Sequence, residues 1–386
     1  IEPMESKLPS TGTTIFAVMS ALSEECNAIN LSQGFPSFNP DQPLLDAVSR
    51  NLNDGANQYA PMTGIPALRE AIGRKVLDLY GRRVDILDEV TVCDGATEGL
   101  FSAIQAVVRN GDEAIVFDPA YDSYEPSVAL AGGTTVHVPL VTTASRPDFH
   151  IDWQRLKDAI NERTRVIILN FPHNPTGVIL AAEDLEALAE IVRDTGIYLI
   201  SDEVYEHIVF DGEDHQSLLK HDELWERTFV ISSFGKTYHA TGWKVGYCVA
   251  PKLLSTEFRK IHQWVCYAVI TPVQHALAEY MNSHPEHYAE LPAFYQAKRD
   301  RFCKLVEPSR FSLRPAHGTF FQILDYAAIT DEDDVAYAKR LTRDIGVASI
   351  PVSVFCEQPL DRKLLRFCFA KDDDILETAA EKLCQL

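Results

Sequence analysis

The sequence is organised around SSFGKTY at Ser232–Tyr238, which is followed closely by TGWKVG at Thr241–Gly246. Thr228–Ile231 before it and Val245–Ala250 after it are rich in β-branched and apolar residues, which predicts two buried strands. Lys236 therefore lies on a tight loop between two interior strands. Burial pushes a lysine toward its neutral amine. A neutral amine is a nucleophile that can form a Schiff base with an aldehyde.

The residues around Lys236 suit an anionic group. Ser233 offers a hydroxyl donor and Lys244 a cation, a pair that could hold a phosphate. The predicted strand Val90–Cys93 leads through the turn Asp94–Thr97 into a helix, and a helix N-terminus presents free N–H groups and a positive dipole end. Taken alone, each feature is more typical of a solvated loop or an ordinary βα turn. Their combination predicts a phosphate cup.

The rest of the chain alternates strands and helices. Apolar strands such as Val166–Asn170 and Tyr198–Glu203 are typical of a sheet covered on both faces. The βαβ rhythm predicts a mainly parallel sheet whose ligands bind at the carboxyl ends of the strands. Later in the chain a long helix followed by short strands and helices is typical of a small α+β domain. We therefore predict an α/β protein with a large domain of residues 41–284 and a small domain formed by residues 1–40 and 285–386.

Side chains that could take part in a reaction or bind a ligand follow the ends of the predicted strands. The ring of Tyr121 could stack on a flat heterocycle, and a rigid loop with two prolines presents the Asn174 amide. Asp202 ends an apolar strand, so its carboxylate needs a cationic or N–H partner. An acid that faces a pyridine nitrogen keeps it protonated and makes the ring an electron sink. Tyr205 lies three residues on. A helix N-cap or a buried acceptor is the simpler interpretation of a lone aspartate.

Arg366 lies inside the apolar strand Leu364–Phe369. Arginine clamps a carboxylate with two parallel hydrogen bonds, which suits an amino-acid substrate. An edge or salt-bridge arginine fits the residue equally well when the strand is considered alone.

Three motifs in this order are highly specific: NPTG at Asn174–Gly177, SDEVY at Ser201–Tyr205 and SFGK at Ser233–Lys236. Together with the glycine- and lysine-containing segment after SFGK they resemble the signature of class I pyridoxal-phosphate (PLP) aminotransferases, in the branch of kynurenine, glutamine and methionine aminotransferases. The resemblance runs from Leu31 to Arg366. It implies fold type I of the PLP-dependent transferases, with a mainly parallel seven-stranded sheet. It also implies transfer of an amino group to a 2-oxo acid through a Lys236 aldimine.

The resemblance assigns roles to individual residues. It makes Lys236 the proton carrier, Asp202 the partner of the ring nitrogen and Tyr205 a donor to the phenolate oxygen. The residues that it implies for cofactor binding are Ala96, Thr97, Tyr121, Asn174, Asp202, Tyr205, Ser233, Lys236 and Lys244, with Tyr59 reaching across a homodimer to the partner's phosphate. The residues that it implies for substrate binding are Gly34, Asn174, Arg366 and Phe16.

Departures from the family pattern bear on the substrate. Lys244 stands where many class I enzymes carry arginine, and the kynurenine-type branch often has lysine. Thr97 and Phe16 stand where the mammalian kynurenine type carries tyrosine and tryptophan. No second arginine is placed to hold a distal carboxylate, and aromatic residues suggest an apolar pocket wall: Phe16, Tyr59, Tyr121 and Tyr238.

We therefore expect methionine as donor, with aromatic or other long uncharged amino acids also accepted. The sequence also fits a PLP-dependent cysteine-conjugate or cystathionine C–S β-lyase, and a kynurenine or glutamine aminotransferase. A ligand-sensing regulator would need a DNA-binding segment, for which the first 30 residues are too few and too acidic.

Bulk properties exclude other classes. A chain of 386 residues predicts two domains, and a net charge of −21 disfavours nucleic acid and anionic membranes as partners. No apolar run approaches the ~20 residues of a membrane helix. The eight cysteines show no metal-site spacing, so we expect no metal and a reducing, cytoplasmic compartment. We find no signal peptide, although a chain that starts at Ile1 leaves its true start open.

Overall fold

The fold is that of a computed structural model, which describes residues 4–358, 360 and 362–386. The helices are α1 Ile15–Glu25, α2 Gln42–Asn53, α3 Pro66–Tyr80, α4 Gly95–Val107, α5 Tyr124–Leu130, α6 Trp153–Ala159, α7 Ala182–Val192, α8 Asp222–Trp225, α9 Phe234–Thr237, α10 Lys252–Val265, α11 Thr271–Ser283, α12 His287–Val306, α13 Asp334–Arg340 and α14 Asp373–Leu383. The strands are β1 Ile29–Asn30, β2 Val90–Cys93, β3 Glu113–Asp118, β4 Thr134–Pro139, β5 Thr164–Asn170, β6 Tyr198–Asp202, β7 Thr228–Ser233, β8 Gly246–Val249, β9 Ser312–Leu313, β10 Phe321–Asp325, β11 Val347–Ala348, β12 Ile350–Pro351 and β13 Leu364–Cys368.

A seven-stranded sheet organises the larger part of the chain. Its strand order is β2-β8-β7-β6-β5-β3-β4. Strand β8 is antiparallel to both of its neighbours, and the remaining pairs are parallel. The predicted α/β fold with a mainly parallel seven-stranded sheet is confirmed.

The continuous apolar runs of the inner strands have a structural reason. Successive side chains of a strand point to opposite faces. In β5, Ile167 and Leu169 join the hydrophobic core on one face of the sheet, and Ile168 joins the core on the other. Helices cover both faces, so the inner strands are apolar on both sides over most of their length.

The C-terminal part forms a second core. A four-stranded sheet, in the order β12-β13-β10-β9, packs with α1, α12, α13 and α14 around a cluster that includes Met19, Phe302 and Leu365. Strand β1 pairs in parallel with β11, so the N-terminal segment packs against this part of the chain as expected. The same core takes in Tyr205 and Phe210 from the segment after β6. The division at residues 41–284 stays a prediction, and residues 1–3 of the predicted small domain lie outside the described residues.

The tight loop predicted around Lys236 contains a one-turn helix, α9, and Lys236 lies on it. In the C-terminal part, segment 347–352 forms two short strands, because β11 pairs with β1 while β12 pairs with β13. Helix α10 ends at Val265, and Tyr267 in the connection to α11 has a left-handed φ of 67°. None of the helices in the described ranges is long and apolar enough to traverse a lipid bilayer.

Candidate active site

A cavity of about 400 Å³ opens where the carboxyl ends of β5, β6 and β7 meet the N-terminus of α4. That edge is where ligands bind in open α/β sheets. Every residue that the sequence predicted for the site lines the cavity except Tyr59 and Tyr238. The predicted residues in its wall are Phe16, Gly34, Ala96, Thr97, Tyr121, Asn174, Asp202, Tyr205, Ser233, Lys236, Lys244 and Arg366.

Lys236 reaches into this cavity from α9. The Ser233 hydroxyl caps that helix by accepting a hydrogen bond from the N–H of Gly235 at 3.1 Å. The Lys236 ammonium donates to the Gly34 carbonyl at 2.9 Å and lies 5.6 Å from the centre of the Tyr205 ring. Burial lowers the pKa of Lys236 to about 8. A substantial fraction of the amine is therefore neutral and nucleophilic near pH 8.

Asp202 occupies the last position of β6 and is 3% exposed. The Tyr124 hydroxyl donates to its Oδ2 at 2.6 Å, and the Val204 N–H donates to its Oδ1 at 3.4 Å. Burial nevertheless raises the pKa of Asp202 to about 6, because the carboxylate loses more hydration than these two donors replace. A positively charged group of a ligand would stabilise the ionised form. A protonated pyridine nitrogen is such a group.

Arg366 is a buried cation, 1% exposed, at the centre of β13. Its Nη1 donates to Asn174 Oδ1 at 2.7 Å, and its Nη2 donates to the Ser32 carbonyl at 2.8 Å. Its Nε finds no hydrogen-bond partner among the described residues. Burial lowers the pKa of Arg366 to about 10. A buried guanidinium with an unused N–H is suited to an incoming carboxylate.

The phosphate cup depends on two glycines. Gly95 has a left-handed φ of 70°, and a Cβ there would lie 3.1 Å from the ammonium nitrogen of Lys244. A Cβ on Gly246 would lie 2.9 Å from the backbone nitrogen of Ala96. Both glycines therefore let a lysine and the first-turn N–H groups of α4 converge on one small volume. The Ser233 hydroxyl lines the same cavity. This donor set fits a phosphate dianion.

Tyr205 completes the set for a pyridine ring. It is 3% exposed, and its ring packs edge-on against Phe320 at 5.2 Å. Burial raises the pKa of Tyr205 well above its usual value, so its hydroxyl stays protonated and can donate. An amine for an aldehyde, an acid for a ring nitrogen, a phenol for a ring oxygen and a cup for a phosphate are all present. The residues of this cavity fit PLP.

Aromatic rings form the wall above Arg366. The guanidinium lies 3.9 Å from the centre of the Phe321 ring and 5.2 Å from that of Phe16. Phe16 also packs against Phe355, with ring centres 5.6 Å apart, and lies 6.5 Å from Tyr121. This part of the cavity wall is therefore largely apolar.

Two predicted wall residues lie elsewhere. Tyr238 is 2% exposed and packs against Phe234 and Tyr280 in the core behind α9, so its assignment to the pocket was wrong. Tyr59 is 82% exposed, and its ring lies edge-on against Tyr267 at 5.2 Å. It is not part of the cavity of its own chain.

Sequence reasoning missed three contributors. Tyr124 donates a hydrogen bond to Asp202. It follows the same strand end as Tyr121, and this position could have indicated that it belongs to the site. Asn170 is the last residue of β5 and orients two site residues, because its side chain accepts from the Asn174 N–H at 3.0 Å and donates to the Asp202 carbonyl at 3.1 Å. Phe321 gave no signal, because an aromatic residue in an apolar strand is ordinary core.

Comparisons with known proteins agree with this geometry. The family model "Aminotransferase class I and II" matches residues 27–383. A methionine aminotransferase from Escherichia coli is 50% identical over 99% of this chain and 98% of its own length. A solved structure of an Escherichia coli protein with a methionine aminotransferase function superposes on this chain with a TM-score of 0.96. The superposition covers 100% of both chains.

More distant relatives carry other names. A probable N-succinyldiaminopimelate aminotransferase from Mycobacterium tuberculosis is 38% identical over 99% of this chain and 98% of its own. A human kynurenine–oxoglutarate transaminase is 33% identical over 97% of this chain and 88% of its own.

Proposed function

Because the chain belongs to the class I and II aminotransferase family, a PLP-dependent family, we propose that it transfers the amino group of methionine to a 2-oxo acid. One observation carries the choice of an uncharged donor. Lys236, Lys244 and Arg366 are the lysines and arginines in the cavity wall. We assign the first to the aldehyde of the cofactor, the second to its phosphate and the third to the substrate carboxylate. No cation of the described wall is left over for a second carboxylate, whose burial without a partner would be costly.

PLP supplies an electron sink for the carbon that loses its proton. The chain's own residues do the rest. With the cofactor bound, Asp202 would hold the ring nitrogen protonated, and the Tyr205 hydroxyl would donate to the ring oxygen. The neutral amine of Lys236 accepts the proton from the substrate Cα and later returns it, which is general base and then general acid catalysis.

The substrate carboxylate is oriented by Arg366. The second N–H groups of its Nη1 and Nη2 and the nearby Asn174 amide would supply donors, and the carbonyl of Gly34 accepts a hydrogen bond from the Lys236 amine. An amino acid bound in this way would have its Cα between the guanidinium and Lys236. A fixed carboxylate therefore directs the Cα proton toward the base.

A thioether suits the remaining wall. Phe16, Tyr121 and Phe321 present apolar ring surface, and sulfur makes favourable contacts with aromatic rings while needing no hydrogen-bond partner. A glutamine amide would need donors and acceptors that the rings of Phe16 and Phe321 do not offer. Aromatic donors would be accepted to a lesser degree, because an apolar pocket discriminates by only about 1–3 kcal/mol per methylene.

The active unit we propose is a homodimer in the cytoplasm. Tyr59 and Tyr267 contact each other on the surface, and further exposed apolar side chains lie on the segment around Tyr267: Trp264, 84% exposed, Val265 and Ile270, each 50% exposed. Covering these side chains with a second copy would remove them from water and let Tyr59 reach the partner's phosphate cup. The eight cysteines carry free thiols, which supports a reducing compartment.

A donor panel with sedimentation tests this proposal. The holoenzyme is assayed for 2-oxo acid formation from methionine, glutamine, kynurenine, phenylalanine, aspartate and N-succinyldiaminopimelate, each with one fixed acceptor. We expect methionine to give the highest kcat/KM and aspartate the lowest, in a dimer. Preference for a donor with a second carboxylate would overturn the substrate, and full activity in a monomer would overturn the dimer.

Two further measurements distinguish methionine transamination from C–S β-elimination and from a kynurenine preference. A C–S β-lyase releases a 2-oxo acid from a cysteine conjugate without any acceptor, whereas transamination needs one. Phe16→Trp installs the residue of the mammalian kynurenine type and serves as a matched variant. We expect it to lower kcat/KM for methionine relative to kynurenine. An unchanged ratio would mean that Phe16 does not contact the donor side chain.

A further inference from the structure

Behind the active site lies a buried carboxylate on which four side chains converge. Glu206 is 5% exposed. Its Oε1 accepts hydrogen bonds from the hydroxyls of Ser232 and, at 2.7 Å, Tyr247. Its Oε2 accepts from the Lys75 ammonium at 2.6 Å and from the Tyr80 hydroxyl.

The carboxylate is held as an anion. Burial acts to raise the pKa of Glu206, but the adjacent Lys75 ammonium and the hydroxyl donors outweigh it and hold that pKa well below its usual range. Lys75 and Tyr80 both come from α3, so one oxygen is occupied by that helix. The other oxygen bridges Ser232 and Tyr247, which face each other across β7 and β8.

Glu206 connects the two segments that carry the catalytic groups. It directly follows Tyr205, in a turn closed by the Glu206 N–H donating to the Glu203 carbonyl at 2.9 Å. Its side chain accepts a hydrogen bond from the hydroxyl of Ser232, which directly precedes Ser233. Neighbouring residues of a strand point to opposite faces, so Ser233 lines the cavity while Ser232 reaches Glu206. The hydroxyl of Ser232 is therefore a side-chain link from the Tyr205 turn to the start of α9, beside the backbone hydrogen bond from the Glu203 N–H to the Ile231 carbonyl.

We propose that Glu206 is a positioning residue for transamination, which through Ser232 fixes the distance between the Tyr205 hydroxyl and the Lys236 amine. The inference rests on the proposed roles of Lys236 and Tyr205. Displacing a reacting group by about 1 Å can lower the rate about 100-fold. A hydrogen bond that fixes two reacting groups relative to each other therefore affects kcat. The Lys75 ammonium neutralises the carboxylate, and Ser232 transmits its position to β7.

Two single-hydroxyl variants separate positioning from plain stability. Ser232→Ala and Tyr80→Phe each remove one hydrogen bond to the same carboxylate, but only Ser232→Ala frees β7 from it. Each full-length holoenzyme is assayed for kcat and KM with methionine. Hydrogen–deuterium exchange of the segment 230–240 is measured with and without cofactor, and thermal unfolding is recorded for both variants.

For Ser232→Ala we expect kcat to fall by about tenfold or more, KM for methionine to stay within about threefold, and exchange of residues 233–238 to accelerate in the cofactor-free chain. Tyr80→Phe should keep kcat within about twofold and leave that exchange unchanged. A Ser232→Ala enzyme with kcat within threefold of the unsubstituted chain, or an equal loss in Tyr80→Phe, would overturn the inference. Failure of the proposed function would look different, since the unsubstituted chain would then lack methionine activity.

Discussion

Replacing Arg366 by glutamine should lower kcat/KM for methionine by about 10²–10⁴-fold. The guanidinium donates to Asn174 Oδ1 at 2.7 Å from Nη1 and to the Ser32 carbonyl at 2.8 Å from Nη2, and each of these nitrogens keeps a second N–H for a ligand. A bound carboxylate would accept about two charge-assisted hydrogen bonds from such a fork. Hydrogen bonds to charged groups contribute about 1.5–3 kcal/mol each, and two give about 3–6 kcal/mol. At about 1.4 kcal/mol per tenfold this is the stated range.

The assay is the initial rate of 2-oxo acid formation over a range of methionine concentrations. Most of the loss should fall on KM, because the carboxylate is bound before and during proton transfer. Arg366→Lys is the matched control, since it keeps the charge and loses the planar fork, and its loss should be smaller.

A carboxylate-free analogue of methionine provides the decisive comparison for Arg366. The amine of the same chain length should react poorly with the unsubstituted enzyme and no worse with Arg366→Gln. A loss of less than tenfold with methionine, or an equal loss with the amine, would refute the assignment of Arg366 as the carboxylate clamp.

Further predictions concern the other site residues. Asp202→Asn should retain PLP but lose about 10³ in kcat, or about 4 kcal/mol, because an amide cannot hold the ring nitrogen protonated; near-normal turnover would mean that another acid does so. In the cofactor-free chain, reductive labelling of Lys236 by a small aldehyde should rise with pH around a midpoint near 8, because burial lowers its pKa to about 8 from the ~10.4 of a solvated lysine; a midpoint above 10 would contradict the burial argument. Gly34→Ala should lower the free energy of unfolding by about 1–3 kcal/mol, since its Cβ would lie 2.7 Å from the Phe321 ring, and an unchanged denaturation midpoint would count against that contact. Tyr59→Phe should weaken PLP binding about tenfold without changing the sedimentation of the dimer, whereas unchanged PLP affinity would exclude a phosphate contact.

The sequence predicted those parts of the site where a single polar residue interrupts an apolar strand. Asp202 and Arg366 stood out in this way, and burial of their strands is what makes their charges informative. Lys236 was identified by its position between two such strands, although the one-turn helix that carries it was not foreseen. The sheet followed from continuous apolar runs, which only a doubly covered sheet explains.

Contacts between distant segments could not be predicted in the same way. Tyr124 donates to Asp202 across 78 positions of sequence, and no local pattern marks such a pair. Tyr238 was placed in the pocket as one of several aromatic residues. It lies two residues after Lys236, however, and on a short helical turn residues two apart point in different directions. Glu206 gave no signal either, because the four donors that surround it come from three separate elements.

The most direct test of the account is the site at which PLP is attached to the chain. The purified holoenzyme is reduced with borohydride, digested and mapped by mass spectrometry, with Lys236→Ala treated in parallel. The account predicts that the reduced cofactor is found on Lys236 and that Lys236→Ala is colourless and unlabelled. A reduced cofactor on Lys244 or on any other lysine, or a visible absorption band and a label that survive in Lys236→Ala, would contradict it.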